Sequence, residues 1–584
     1  VAQPIKHITI VGGGTAGWLT ANLLSAYFGL QKNTPENSIR ISLIESPNIP
    51  TVGVGEATVP AMSRLLQQTG ISETDFFQKC NASFKLGVDF ANWNVDEKGK
   101  PFSYINPFNV GGLVAGIDPG YYYARFGASG ASFVQTISPA QDLGMMRKGP
   151  RPLGSKPYQE PVTYAYHLDA GLFAKMLQEV CIKRGVEHIL DDMLEVERRD
   201  DGNIAAIQLK ERGRHEVELV IDCTGFKGLI INGALDEPFI SYSKHLANDR
   251  AMAVQIPHPR HTDEGPEFIE PVTRSTALGA GWSWRVPLFN RIGTGYVYSS
   301  AHRSDDEARE EFLTHLGDAG KDAEPRVIPM RVGRTRKTWV KNCIAIGLSG
   351  GFIEPLESTA IYMIEMAVRW LIAYFPDTSY PESLRNRYNE VATDLYDEVR
   401  DFICLHYALG NRTDTPYWVD AREALDVPDT LAANLEVWKH TLPLLTDLKS
   451  QHLFTPEVYT AVLQGKRVYQ MRDDWNARPG PHLNRDIWRS HVREQRHRIS
   501  KFVKAMPDHV TLLRELRGET KQPVTSLSTI TANSPPPGAL QAGLTGGTVP
   551  MPGGTVPVPG LGVRRTPVIK QPEPAESSGE GNLL

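Results

Sequence analysis

The stretch Ile8 to Leu24, ITIVGGGTAGWLTANLL, constrains this chain more than any other. A short apolar strand runs straight into Gly12, Gly14 and Gly17, spaced G-x-G-x-x-G, and an apolar helix follows. The first glycine permits a sharp turn, the second lets backbone approach a pyrophosphate, and the third lets the helix lie close on the sheet. Gly12, Gly13, Gly14, Thr15, Ala16 and Gly17 are therefore the expected cradle of a dinucleotide, its phosphates held on bare amides at the positive end of the helix.

The rest of the chain adds to that cradle. Ile39 to Glu45, IRISLIE, reads as the next strand, and Glu45 at its end is placed to accept from a ribose hydroxyl. GVGEATVP, Gly53 to Pro60, brings Gly55 and Glu56 beside the same nucleotide. Lys98 to Gly120 is rich in glycine and proline and reads as irregular structure leading into an aromatic loop, Tyr121 to Tyr123. Ala170 to Arg184 reads as a helix, and Ile204–Leu209 with Glu216–Ile221 as a hairpin-like sheet. Two further apolar strands end on glycine, LVIDCTG at Gly225 and CIAIG at Gly347, the latter followed by Leu348. Three such strands spread over most of the chain favour FAD over NAD, because a nicotinamide site is usually completed within one contiguous domain. A helix is expected from about Ser358, with Ser358 and Thr359 as caps and apolar residues at Ile361, Ile364, Val368 and Leu371. In GWSWRVP, Gly281 to Pro287, Trp282 and Trp284 point to one side if the segment is extended.

Composition removes other classes. A net charge of −5 supplies no field for nucleic acid or an anionic membrane, so neither partner is expected. The five cysteines form no CxxC pair and have no companion histidine at ligand spacing, so neither a metal site nor a disulfide framework is expected. No signal peptide and no membrane-length apolar run is read, which makes the cytoplasm the default location. Beyond Pro376 the pattern turns helical, as in Pro381 to Tyr407 and Asn484 to Lys504. From Gln522 the remaining 63 residues hold eleven prolines and no aromatic residue, and GGTVPMP is nearly repeated as GGTVPVP. Such a composition cannot bury enough apolar area to offset ordering entropy and reads as a disordered tail. The expected organisation is 1–378, a cofactor and substrate region; 379–521, a helical domain; and 522–584, the tail.

Taken together, VGGGTAGW at Val11–Trp18, GVGEATVP at Gly53–Pro60, GWSWRVP at Gly281–Pro287 and FIEPLEST at Phe352–Thr359 resemble the flavin-dependent halogenases, specifically their tryptophan-halogenase branch. The resemblance runs from about Ile5 to RTDTPYW, ending at Trp418. WxWxxP is its most specific part, since flavin binding does not require it. The resemblance implies an α/β fold: a Rossmann-like FAD domain of the GR2-type flavin monooxygenase kind, with an interleaved β-sheet substrate region and a C-terminal helical domain. It also implies a two-site mechanism. FADH2 from a separate flavin reductase, with O2 and chloride or bromide, yields hypohalous acid, which travels through the protein to a lysine beside a small aromatic substrate. By position in SFKLGVDFANW, Lys85 matches that lysine, and Glu357 matches its partner carboxylate. An ammonium can hydrogen-bond hypohalous acid and a neutral amine can form a haloamine; either holds the halogen over one ring carbon. A carboxylate opposite stabilises positive charge on the ring and accepts its proton. The halide is expected on the amides of Thr359 and Ala360, with alanine where relatives often have glycine. Trp282 and Trp284 are expected to separate flavin from substrate.

Two features depart from the pattern of relatives that use free tryptophan. In YINPFN, Tyr104 to Asn109, Asn106 stands at the position of a histidine, while Phe108 is kept as a substrate contact. The aromatic clamp of those enzymes is also not recognisable in Glu457 to Asn476. An indole, a larger indole-bearing compound or a phenol is the expected substrate, with Glu357 arguing for indole, because a phenol can be activated by losing its own proton. The competing readings are an FAD-dependent aromatic hydroxylase and a non-catalytic flavin-binding protein. An oligomer is compatible with the sequence.

Overall fold

The computed structural model describes residues 2–29, 39–49, 55–108, 110–259, 261–262, 265–450, 452–469, 482–519, 548–551 and 554–557. Gly53, Asn109, residues 470–476 and most of the tail, all named above, lie outside the described residues.

The strand His7–Val11 is buried along its whole length. Its β-branched run suits a strand covered on both faces. It lies in a six-stranded sheet of order Trp339–Val340, Cys343–Ala345, Leu219–Asp222, His7–Val11, Arg40–Glu45 and Glu187–Leu190. Every neighbouring pair is parallel except the first. The three glycine-terminated strands are thus consecutive neighbours pointing the same way, and Gly12, Gly225 and Gly347 gather at one edge. The turn at Gly12 is tight: its φ is 117°, and a Cβ there would stand 2.2 Å from the Cys223 carbonyl oxygen. A Cβ on Gly17 would fall 1.8 Å from the Gly12 carbonyl oxygen, so this glycine lets the helix Thr15–Phe28 begin against the turn.

A second, seven-stranded sheet carries the substrate region, in the order Arg326–Pro329, Arg250–Ile256, Ile292–Tyr298, Gly281–Pro287, Thr273–Leu278, Gly87–Val95 and Pro101–Pro107. The tryptophan motif is therefore a central strand. Pro101–Pro107 corrects the expectation of irregular structure over Lys98–Gly120: it is an edge strand, where proline costs no ladder bond. A small third sheet joins Gly55–Ala57 and Ser83–Lys85 to opposite sides of Ala165–Asp169.

Two other local expectations change. Tyr121–Tyr123 lie in the helix Pro119–Phe126, which Asp118 caps by accepting from the Gly120 amide at 2.6 Å, with Pro119 in the first turn. Glu216–Ile221 is not one strand: Gly213–Glu216 pairs with Ile204–Leu209, whereas Leu219–Asp222 enters the parallel sheet.

The helix Glu382–Ala408 is 27 residues long and buries Phe402, His406 and Tyr407 near its end. Residues 1–529 form one compact unit, so 379–521 shares a unit with the sheets, and 378/379 falls in the loop between the helices Ala360–Ala373 and Glu382–Ala408. In the second unit, 530–584, the near-repeats pair with each other as antiparallel strands, Thr548–Met551 with Gly554–Pro557. Among the described residues, no helix is long and apolar enough to cross a membrane.

Candidate functional site

A cavity of about 620 Å³ opens at the carboxyl edge of the parallel sheet. Gly12, Gly13, Gly14, Thr15 and Ala16 line it, with Glu45, Gly55, Glu56, Gly225 and Leu348 from the following strands. Gly17, expected among the cofactor residues, supports the turn from beneath and is not in that lining. The residues fit a dinucleotide: Gly14 has nothing within 4 Å of where a Cβ would be, which leaves backbone open to a phosphate. Glu45 packs against Gly13, and His188, which the sequence reading missed, meets its carboxylate at 2.8 Å. Burial, with Asp169 nearby, pushes the Glu56 carboxyl up to about 7.

The far wall of this cavity is the tryptophan strand. Trp282 and Trp284 line it together, their rings 6.4 Å apart, as expected of an extended W-x-W. Trp282 is fixed from behind, donating from Nε1 to Glu354 at 3.0 Å. The same carboxylate oxygen accepts from Tyr407 at 2.6 Å and Asn248 at 2.9 Å. Burial raises the Glu354 pKa while these three donors oppose the rise. Glu354 lies in a motif quoted from the sequence, yet its partners come from three distant segments.

Just beyond Glu354 the backbone makes a short 3-10 turn, Pro355–Glu357, and Ser358 takes a left-handed φ of 61° before the helix Ala360–Ala373. Thr359 is the cap residue, without a side-chain cap bond, and Ala360 begins the helix, so the positive φ falls at Ser358 and not at Ala360. Thr359 and Ala360 line the flavin-sized cavity; Glu357 does not. It points to a second cluster, in which Lys85, Asn106 and His406 are also buried.

Lys85 closes the strand Ser83–Lys85, and its Nζ donates to the Thr58 carbonyl oxygen at 3.0 Å and stands 5.0 Å from the Phe108 ring centre. Burial lowers its pKa to about 7, and the Glu357 charge opposes that fall. At neutral pH both the ammonium and the amine are therefore populated. Asn106 Nδ2 donates to both Glu357 oxygens, at 3.1 and 3.2 Å. His406, also missed by the sequence reading, stacks on Phe90 at 4.4 Å and holds Nε2 3.0 Å from Glu357 Oε1. Tyr104 lies 2.9 Å from its Nδ1, and burial lowers the His406 pKa. Lys466 is buried behind this cluster, donating to Asn94 and to the His406 carbonyl oxygen, both at 2.9 Å.

The family model for tryptophan halogenase matches residues 7–478. The chain belongs to the tryptophan halogenase family. It is 37% identical over 475 residues to a 7-chloro-L-tryptophan 6-halogenase of Kutzneria, covering 78% of this chain and 90% of that one. A solved tryptophan halogenase from Shewanella frigidimarina superposes with a TM-score of 0.81 at 34% identity, covering 88% of this chain and 98% of that one. A flavin-dependent halogenase from Brevundimonas gives 0.76 at 35% identity, covering 88% and 99%. This tryptophan halogenase family member is thus a flavin-dependent enzyme of α/β fold, and the lining of the glycine-rich cavity fits FAD. Gly12→Ala is expected to weaken FAD binding at least tenfold, since its Cβ meets both a carbonyl oxygen and a positive φ. A flavin-fluorescence titration checks this.

Proposed function

We propose that this halogenase installs chlorine or bromine on an indole-type ring through hypohalous acid held at Lys85. The observation that carries the reading is the split made by one short segment: Thr359 and Ala360 line the flavin cavity, while Glu357, two residues earlier, lies outside that lining, bonded to Asn106 and near enough to Lys85 for its charge to act on the lysine. Reduced flavin, supplied by a separate reductase, provides the O2 activation that oxidises halide. The first amides of the helix Ala360–Ala373 offer the halide a positive dipole end beside the cavity. Trp282, pinned by Glu354, keeps the aromatic substrate away from the flavin, so that halide and not the ring meets the oxidant. Lys85 receives the hypohalous acid, as ammonium or as haloamine, and fixes the halogen beside Phe108. Glu357 stabilises the cationic ring and takes its proton, with Asn106 holding the carboxylate and His406 beside it. Glu45 serves the ribose, with His188 fixing its carboxylate. Five buried, unpaired thiols suit a reducing cytoplasm.

The test is a panel of indoles and phenols with a flavin reductase, FAD and bromide, read by the isotope pattern of products. Brominated indole that disappears when bromide is withheld supports the reading. An oxygenated, halogen-free product in the same buffer sinks it in favour of hydroxylation.

A further inference from the structure

Asn106 sits on the edge strand Pro101–Pro107, paired with Val88, and is 5% exposed. Alternate residues of a strand share a face. Here Tyr104 reaches His406 and Asn106 reaches Glu357 from one face of the strand, and Phe108, just past its end, lies beside Lys85. A carboxylate oxygen only accepts, which means that the amide nitrogen of Asn106, bonded to both Glu357 oxygens, is the atom turned to Glu357. Its Oδ1 is consequently directed away from the carboxylate, and this buried oxygen has no hydrogen-bond partner. A buried carbonyl oxygen without a donor is rare and unfavourable, and this one lies beside the carboxylate that is to face the substrate ring.

We infer that Asn106 Oδ1 accepts a hydrogen bond from the ring N–H of the substrate, so that this halogenase selects N–H heteroaromatics such as indole over their N-alkylated forms. The inference rests on Lys85 and Glu357 being the place of ring halogenation. The amide then does two things at once: it steadies Glu357 through Nδ2 and fixes the ring through Oδ1. It also favours the reaction itself, because positive charge developing on the ring nitrogen strengthens an N–H···O bond as the halogen adds.

The test compares kcat/KM for bromination of indole and 1-methylindole by the wild-type protein and by Asn106→Leu, which keeps a similar volume and removes the acceptor. Wild type is expected to favour indole at least tenfold, and the ratio in Asn106→Leu to fall close to one. Loss of the bond to Glu357 slows both substrates together and leaves the ratio unmoved, so the ratio reads Oδ1 alone. A wild-type ratio within twofold of one overturns the inference even if the variant does not fold. An unchanged ratio in a variant that still binds FAD does the same. Failure of wild type to brominate either compound overturns the proposed function, and this inference with it.

Discussion

Lys85→Met is expected to abolish halogenation, by a factor of a thousand or more, while FAD binding is retained, since Lys85 does not line the flavin cavity. The same substitution changes stability with a pH signature. The folded-state pKa of Lys85 is about 7, well below the ordinary lysine value. Between these two pH values the unfolded chain binds the extra proton and the native protein does not, so wild-type stability rises with pH through that window. Below about pH 7 both states are protonated and the full penalty of the buried ammonium is present, on the order of 5 kcal/mol. Methionine removes that penalty but also the bond to Thr58 and the counter-charge of Glu357, which offset part of the gain. The difference in Tm between variant and wild type is therefore expected to be most favourable to the variant near pH 6 and to shrink towards pH 9. Thermal melts across that range check it, and a difference independent of pH would show that the lysine is not buried as a charge.

Glu357→Gln is expected to lower kcat about a hundredfold, the usual scale for losing a positioned acid–base group. Glutamine keeps an oxygen for Asn106 Nδ2, so the cluster retains its shape. A second effect separates catalysis from packing. Glu357 raises the pKa of Lys85, so the neutral amide lets that pKa fall further below about 7. The limb of the pH–rate profile that reports Lys85 is expected to move to lower pH in Glu357→Gln, whichever protonation form of the lysine carries the halogen. Profiles of single-turnover bromination measure this. A slowed enzyme with an unshifted limb would mean that Glu357 acts without touching Lys85 electrostatically.

How much of this was legible in the sequence depended on the range of each physical requirement. The turn at Gly12 and the close contact at Gly17 arise from backbone sterics within a few residues, so spacing alone revealed them. Lys85 and Glu357 were singled out only through the resemblance of whole motifs, and their burial was not legible, because a buried lysine and a surface lysine look alike in a sequence. Asn106 was noticed as a departure, but its bond to a carboxylate 251 residues away was not. His406 was read simply as part of a helical segment; no local pattern distinguishes a helix histidine that faces solvent from one 3.0 Å from a buried carboxylate. Pro101–Pro107 was misread because glycine and proline flank it, and only its edge position makes those prolines harmless.

The sequence by itself therefore determined the cofactor class and the alternation of strands and helices, and it singled out the lysine, carboxylate and tryptophans as candidates, since these rest on local geometry or on motifs carried intact. Tertiary structure decided the order of the strands, which made three distant glycine turns neighbours. It also decided that Glu354 pins Trp282 on the cavity side while Glu357 is bonded to Asn106 outside that cavity. Those outcomes depend on burial and on which carboxylate oxygen meets which donor, quantities that exist only once segments hundreds of residues apart share one core.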